Sequence, residues 1–272
     1  MAKPIVPDEL WCRIEPLLPP RKKPKRADRP GRPPVEDRKA LTGIIFVLKS
    51  GIDWEDLPRE MGCGCGMTCW RRLRDWGEAG VWDRLHALLL AELRDADRIG
   101  WRRAAVDGSH ARARGGGEET GPSPVDRRKA GSKHHIVTDA GGVPLAATLT
   151  AGNKNDVTEL EGVVDAIPPV AGGPGRPRQR PDELYADRAY DSKPHRERLR
   201  RRGIRPRIAR RNEAHGSGLG VHRWPVERTL SWLHNLGRLR VRKDRTASIH
   251  RAFLKLGCSL ICFSQLQLYH FC

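Results

Sequence analysis

The apolar residues change their period near residue 104, and that change divides the chain into a helical part and a mixed one. In residues 36–50, Leu41, Ile44, Ile45 and Leu48 recur at the 3, 4, 7 spacing of an amphipathic helix, and Gly51 follows as a C′ glycine should. Ahead of it, Asp8 is placed to cap a short helix, Glu9 to Leu17, which Pro19 and Pro20 end. Behind it, Asp53 to Leu57 predicts a short turn of helix. A glycine-rich turn then leads to a helix over Thr68 to Trp76, with Thr68 as its N-cap. That helix carries Arg71, Arg72 and Arg74 beside Trp70 and Trp76. A further helix runs from Trp82 to Arg94. Three short helices with a glycine-rich turn before a basic last one fit a helix-turn-helix-like arrangement.

From Ala104 short strands take over. Ala104-Ala105-Val106 runs into Asp107, and His134 to Thr138 with Pro144 to Thr150 reads as a hairpin about an Asp139–Gly142 turn. Asp156 is placed to cap a helix to Ile167, and the Pro/Gly-rich residues 168–181 are loop. Glu183 to Ala186 is a strand that ends at Asp187. Lys193 to Arg202 reads as a basic helix, Ile204 to Ala209 as a strand, and helices follow from Pro225 and from about Ser248 to Cys262. This order predicts an α/β fold, a mixed sheet flanked by helices behind a small all-helical unit. The expected parts are an N-terminal helix (1–20), a basic Pro-rich linker (21–35), a helical unit (36–100) and the mixed α/β unit (101–265).

Two acids therefore sit where strands end, Asp107 and Asp187. Side chains at the carboxyl ends of strands project into a crevice, the usual place for chemistry in α/β sheets. Two ionised carboxylates held close repel each other unless a cation lies between them. Hard divalent cations take oxygen ligands and keep positions open for phosphate. Glu227 is the third candidate ligand: Pro225 suits the first turn of a helix and puts Glu227 in that turn, with Arg223 at the helix start and Ser231 and His234 on the same face.

Charge indicates the substrate. The chain of 272 residues holds 51 Lys+Arg against 33 Asp+Glu, a formal +18. Such an excess attracts a polyanion by Coulomb force and by release of its counterions. Most of the cations are Arg, whose planar fork matches phosphate. High-GC coding also enriches Arg, but it would supply compensating acids as well. The longest apolar run, Leu41 to Leu48, is far short of the roughly 20 residues of a membrane span, and the N-terminus has no apolar segment of a secretory signal. A cytoplasmic protein with reduced thiols is the expectation, seven cysteines being an odd count.

Three stretches resemble bacterial insertion-sequence transposases of the DDE type, in insertion sequence family five. They are Val106-Asp107-Gly108-Ser109-His110, Tyr185-Ala186-Asp187-Arg188-Ala189-Tyr190-Asp191-Ser192, and the run from Arg223 to Leu233 around Glu227. The acids stand at 107, 187 and 227, so the intervals are 80 and 40 residues, with no room for a large insertion before the glutamate. The segments Lys133–Asp139 with Gly142–Leu145, Leu10–Pro19, Gly51–Pro58 and Thr68–Leu73 are similar to further family stretches, and the likeness covers roughly residues 8 to 262. The resemblance implies an RNase H-like catalytic domain and Mg²⁺-dependent cleavage and strand transfer at terminal inverted repeats, with Mn²⁺ able to substitute. It implies Asp107, Asp187 and Glu227 as metal ligands and catalytic residues, and Arg71, Arg72, Arg74, Lys133, Arg188 and Arg223 as DNA contacts. Its partners would be double-stranded DNA and further copies of the chain assembled on transposon ends. The alternative is a catalytically inactive, transposase-derived DNA-binding protein.

The chain departs from related groups at two places: Gly220 stands where a Tyr is common, and His234 where a Lys or Arg is. The stretch after Cys262 also lacks a basic ending. Cys63, Cys65 and Cys69 do not have the paired spacing of a zinc site. Gly115-Gly116-Gly117 lacks the Lys-Ser/Thr of a phosphate loop. Asp191 reads as a turn residue, and His134 and His135 point to opposite faces of one strand, in structural or DNA-contacting roles.

Overall fold

Eleven residues of continuous strand, Arg103–Ala113 (β1), form the axis of the molecule. The structure is a computed structural model and describes residues 4–20, 33–211, 218 and 220–267. Most of the expected basic linker, residues 21–32, and the last five residues lie outside the described residues. Ahead of β1 come α1 (Asp8–Ile14), α2 (Asp37–Ser50), α3 (Gly66–Glu78) and α4 (Val81–Asp95). After it come β2 (Gly121–Pro122), β3 (Ala130–Asp139), β4 (Pro144–Ala151), α5 (Asp156–Asp165), β5 (Glu183–Ala186), α6 (Lys193–Arg201), β6 (Arg205–Ile208), α7 (Gly220–His234), α8 (Gly237–Arg240), β7 (Val241–Arg242) and α9 (Ala247–Gln267).

β1 pairs antiparallel with β3, and β3 antiparallel with β4, whereas β5 runs parallel to β1 and β6 parallel to β5. The sheet thus reads β4-β3-β1-β5-β6 across its width, with short β2 and β7 added to β3 and β1. An antiparallel meander followed by parallel strands that return through helices is the mixed, RNase H-like arrangement expected. Hairpin strands need only a tight turn, whereas each parallel pairing needs a crossover, and α5 and α6 lie in those crossovers.

One apolar cluster runs from the helical part into the sheet: Leu41, Ile44 and Leu48 of α2, Trp82 and Leu89 of α4, Val106, Ile136 and Phe253 all belong to it. Helices α2, α3 and α4 reach that core by packing on α8 and α9, so the late helix α9 ties the first hundred residues to the sheet. Helices α2 and α8 approach closely at Gly51, which ends α2 in the left-handed region at φ 76°, against Gly237 at the start of α8. A Cβ on Gly237 would lie 2.7 Å from the Gly51 backbone.

Three expected caps are displaced. The N-caps are Pro7, Cys65 and Asn155 rather than Asp8, Thr68 and Asp156. Asp8 instead pairs with Arg38, and the Asn155 side chain accepts from the Val157 amide. Helix α7 begins at Gly220, so Pro225 lies inside it and not in its first turn.

Because Gly51 and Gly237 meet backbone to backbone, Gly237→Ala is expected to destabilise the fold by about 1–3 kcal/mol. Gly220→Ala, where an added Cβ meets nothing within 4 Å, should change stability by less than about 0.5 kcal/mol. Urea unfolding of both variants checks this, and equal midpoints would refute the close approach.

Candidate active site

The parallel pairing of β1 with β5 aligns Arg103 with Glu183, Ala104 with Leu184 and Ala105 with Tyr185. Continuing that register by two residues brings Asp107 level with Asp187. Residues two apart on a strand share a face, so both carboxylates leave the sheet on the side of Ala105 and Tyr185. Helix α7 covers that side: the Tyr185 ring lies 4.9 Å from that of His222, and the Arg223 guanidinium reaches Asp107. Asp187 stands directly after its strand, as expected. Asp107 does not end its strand, because β1 continues to Ala113; what ends near Asp107 is the parallel pairing.

Each aspartate is oriented by a backbone amide. Asp107 Oδ1 accepts from the Gly108 amide at 2.8 Å, and Asp187 Oδ1 from the Ala189 amide at 2.8 Å. On α7, Arg223 and Glu227 are four residues apart and share a face. Arg223 Nη2 lies 3.2 Å from Asp107 Oδ2 and 3.3 Å from Glu227 Oε1, so one guanidinium bridges helix and strand. Its Nε is buried without a hydrogen-bond partner among the described residues. Burial raises the Asp107 carboxyl to about 6; the Gly108 amide and Arg223 pull it down, and the charges of Asp187 and Glu227 push it up. Glu227 is the most open of the three acids, its side chain 55% exposed.

Three carboxylates are an all-oxygen donor set, which suits a hard divalent cation. Among the described residues no three His, Cys, Asp or Glu side chains are drawn tightly enough to cage a metal ion. The positive charge between Asp107 and Glu227 is that of Arg223. The acids therefore fit such a cation in donor chemistry and in their common face, with Arg223 in the intervening position.

The opposite face of the sheet explains Gly108. A Cβ there would meet Asp156 Oδ1 at 3.1 Å, His135 Nδ1 at 3.4 Å and the Tyr190 hydroxyl at 3.5 Å. Asp156 accepts from Lys133 Nζ at 3.0 Å, and Lys133 also donates to the Lys154 carbonyl at 2.7 Å. Lys133 is buried, with both bonds internal, so its ammonium is turned away from any exposed phosphate contact. His135 is buried against Thr150. His134, on the α7 side, hydrogen-bonds His250 between Nε2 atoms at 2.8 Å, which requires one ring to donate and the other to accept. Burial holds His134 at about 3 and His250 well below its ordinary value, so both rings are neutral. His234 points to Ser109, Nε2 to Oγ 3.1 Å, and burial lowers its pKa too; it is a neutral bond between α7 and β1. Asp191 accepts from Arg196 and from the Arg211 amide. Sequence reasoning did not single out Tyr190 and His250, because nothing in their spacing shows which faces the helices cover.

The other basic candidates are spread out. On α3, Arg71 is exposed, Arg72 pairs with Asp37 at 3.3 Å, and Arg74 pairs with Asp75 at 2.7 Å with Trp70 beneath its guanidinium at 5.2 Å. Arg188 follows Asp187 and is half-buried. Among Cys63, Cys65 and Cys69, the outer two are buried and Cys65 is exposed. Among the described residues no helix is long and apolar enough to cross a membrane.

Two family models match the chain. Residues 6–86 match "Putative transposase of IS4/5 family", and residues 102–262 match "Transposase DDE domain". A Burkholderia cepacia protein described as a putative transposase for insertion sequence element IS402 is 61% identical over 154 residues, 57% of this chain and 73% of that one. A second protein of the same element, of 16.2 kDa, is 67% identical over 124 residues, 46% of this chain and 84% of its own. Among solved structures, a pre-cleavage Mos1 transpososome aligns over 86% of this chain and 80% of its own at 14% identity, with a TM-score of 0.27, too low to bear on the fold.

If Arg223 neutralises the buried Asp107, removing it exposes that carboxylate to an uncompensated interior. Without divalent cation, Arg223→Gln is expected to cost about 1–3 kcal/mol, and the cost should shrink markedly in an Asp107→Asn background. A double-mutant cycle by urea unfolding measures the coupling; additive effects would show that the two do not interact.

Proposed function

The chain belongs to the DDE transposases of insertion sequences, and from that premise we propose that it cuts DNA at the terminal inverted repeats of its own element and joins the freed ends to target DNA. The single observation that carries this reading is the common face of Asp107 and Asp187, with Glu227 joined to it through Arg223. In this reading the three acids hold Mg²⁺, with Mn²⁺ as a substitute. The divalent cation supplies a Lewis acid that steadies charge on the reacting phosphodiester and favours deprotonation of the attacking hydroxyl.

The protein's own groups do the positioning. The Gly108 and Ala189 amides fix the rotamers of the two aspartates, so the carboxylates need not reorganise when the cation binds. Arg223 keeps like charges from repelling until then, and afterwards its second bonding edge is available to a phosphate oxygen. The Ser109–His234 bond anchors helix α7, and with it Glu227, to the sheet, while the His134–His250 bond ties α9 to β3. Helix α3, with Arg71 on its exposed side, is the proposed reader of the repeat, as the second helix of a helix-turn-helix unit is. Two copies on paired ends form the working assembly.

Cleavage of a supercoiled plasmid carrying the element's ends tests the reading. Cutting at the ends with Mg²⁺, none with EDTA, is expected for the wild type. Asp187→Asn and Glu227→Gln should bind the ends as tightly and cut at background level, because each removes a ligand charge and leaves the basic surface intact. Normal cutting by either variant would refute the assignment of that acid. End binding without cutting by the wild type would point to the inactive, DNA-binding alternative.

A further inference from the structure

Helix α6 carries far more charge than apolar contact. Of its nine residues only Leu199 is buried, so packing holds it weakly. Ion pairs hold it instead, and they are already shared. Glu161 of α5 lies 2.7 Å from His195, 2.9 Å from Arg198 and 3.2 Å from Arg202, and Asp191 serves Arg196. In the next strand Arg205 and Arg207 both use Glu183, at 2.9 Å each. Residues 176–211 contain fourteen Lys or Arg against five Asp or Glu. Asp182, Glu183 and Asp191 are thus taken up in ion pairs while cations remain in excess, Arg200 and Arg201 standing exposed at the end of the helix.

Two structural uses account for part of this. Cations suit a helix C-terminus, and charged residues with Pro206 keep the end strand β6 from pairing with other strands. Each explains a few residues, and neither needs so large an excess over both elements. Thirteen of the fourteen cations are arginine, the side chain that matches phosphate with a rigid fork.

Position narrows the partner. β6 is the last strand beyond β5, so the basic edge adjoins Asp187, while the helices α2, α3 and α4 pack on α8 and α9. Joining a DNA end to a target requires two duplexes at one set of acids. We propose that the α6–β6 edge is a second duplex-binding surface, which holds target DNA by its phosphates while the N-terminal helices hold the transposon end. This rests on the transposase reading. Exposed arginines that meet a backbone carry no sequence information, so the surface takes B-form DNA of any sequence.

The test is a triple variant, Arg200→Gln, Arg201→Gln and Arg205→Gln, in the full chain with Mg²⁺. Cutting at the element's ends and joining to a target plasmid are scored in one reaction, and binding of a random-sequence duplex is followed from about 50 to 200 mM salt. The expected result is end cutting within about twofold of wild type, joining reduced roughly tenfold or more, and a log–log salt slope lower by about one per arginine lost. The corresponding triple Lys variant should recover most of the joining. Unchanged joining would overturn the proposal, and so would cutting that falls in step with joining, since the edge would then hold the donor end. A wild type that neither cuts nor joins would sink the transposase reading instead. The random-duplex slope then decides the edge alone, and a slope unchanged in the variant overturns it.

Discussion

Two carboxylates at matching positions on neighbouring strands repel each other, and most of what surrounds the sheet supplies or directs the charge that makes them tolerable. The parallel pairing of β1 with β5 creates the problem, since it lines up Asp107 and Asp187 on one face. The Asp107 carboxyl is raised to about 6, chiefly by burial, and the charge of Asp187 adds to the rise. Helix α7 provides the remedy within the chain. Arg223 and Glu227 are one turn apart, so a single guanidinium contacts both Asp107 and Glu227. That geometry depends on where α7 lies, and uncharged bonds help to set its place: His234 to Ser109 of β1, and Thr229 to the carbonyl of Gly142 in the β3–β4 turn.

Much of this was legible in the sequence, and the failures share a physical cause. Asp187 was legible because β5 is four residues long and its last residue immediately precedes the acid. Asp107 was found for a partly wrong reason. A run of three apolar residues looked like a whole strand, but β1 goes on through Ser109 and His110, whose polarity is tolerated because His234 and Ser123 bond them. The displaced caps arise likewise. Asp8 and Asp156 have the chemistry of caps, but Arg38 and Lys133, distant in sequence, draw their carboxylates into ion pairs. Local spacing shows what a side chain can do, and a partner elsewhere in the chain decides what it does. Lys133 is the sharpest case: on a strand covered on both faces, a lysine that reads as a phosphate contact becomes the internal counterion of Asp156.

The distribution of arginine sorts into two populations by the same reasoning. Arg238 and Arg242 are buried and face groups of the chain itself: Arg238 lies 3.7 Å from Asp53 and from Asp244, and Arg242 donates to Ser132 and to the carbonyls of Asp244 and Arg245. A buried guanidinium left short of partners is costly, so these residues are structural whatever the protein binds. In α6 and β6, Arg198, Arg200, Arg201, Arg205 and Arg207 outnumber the acids they share and stay exposed, which is stable in water and attractive to a polyanion. Net charge alone does not separate the two groups; burial and the ratio of acids to cations do.

The neutrality of the histidines beneath α7 completes the electrostatic logic. His134, His234 and His250 all lie near the face that carries Asp107, and an imidazolium there would compete with any divalent cation for the same carboxylates. Burial removes that competition, since charging a ring in the dry interior costs more than the acids return. The His134–His250 bond, donor to acceptor between two Nε2 atoms, cannot survive charging of both rings, because the accepting ring must keep a free lone pair. Arg223 is thereby left as the cation in contact with Asp107 and Glu227, and it stands in the first turn of α7, half-buried beside the exposed Trp224. A counterion at the rim of the site can yield to a stronger one, whereas a charged cluster buried behind the strand could not.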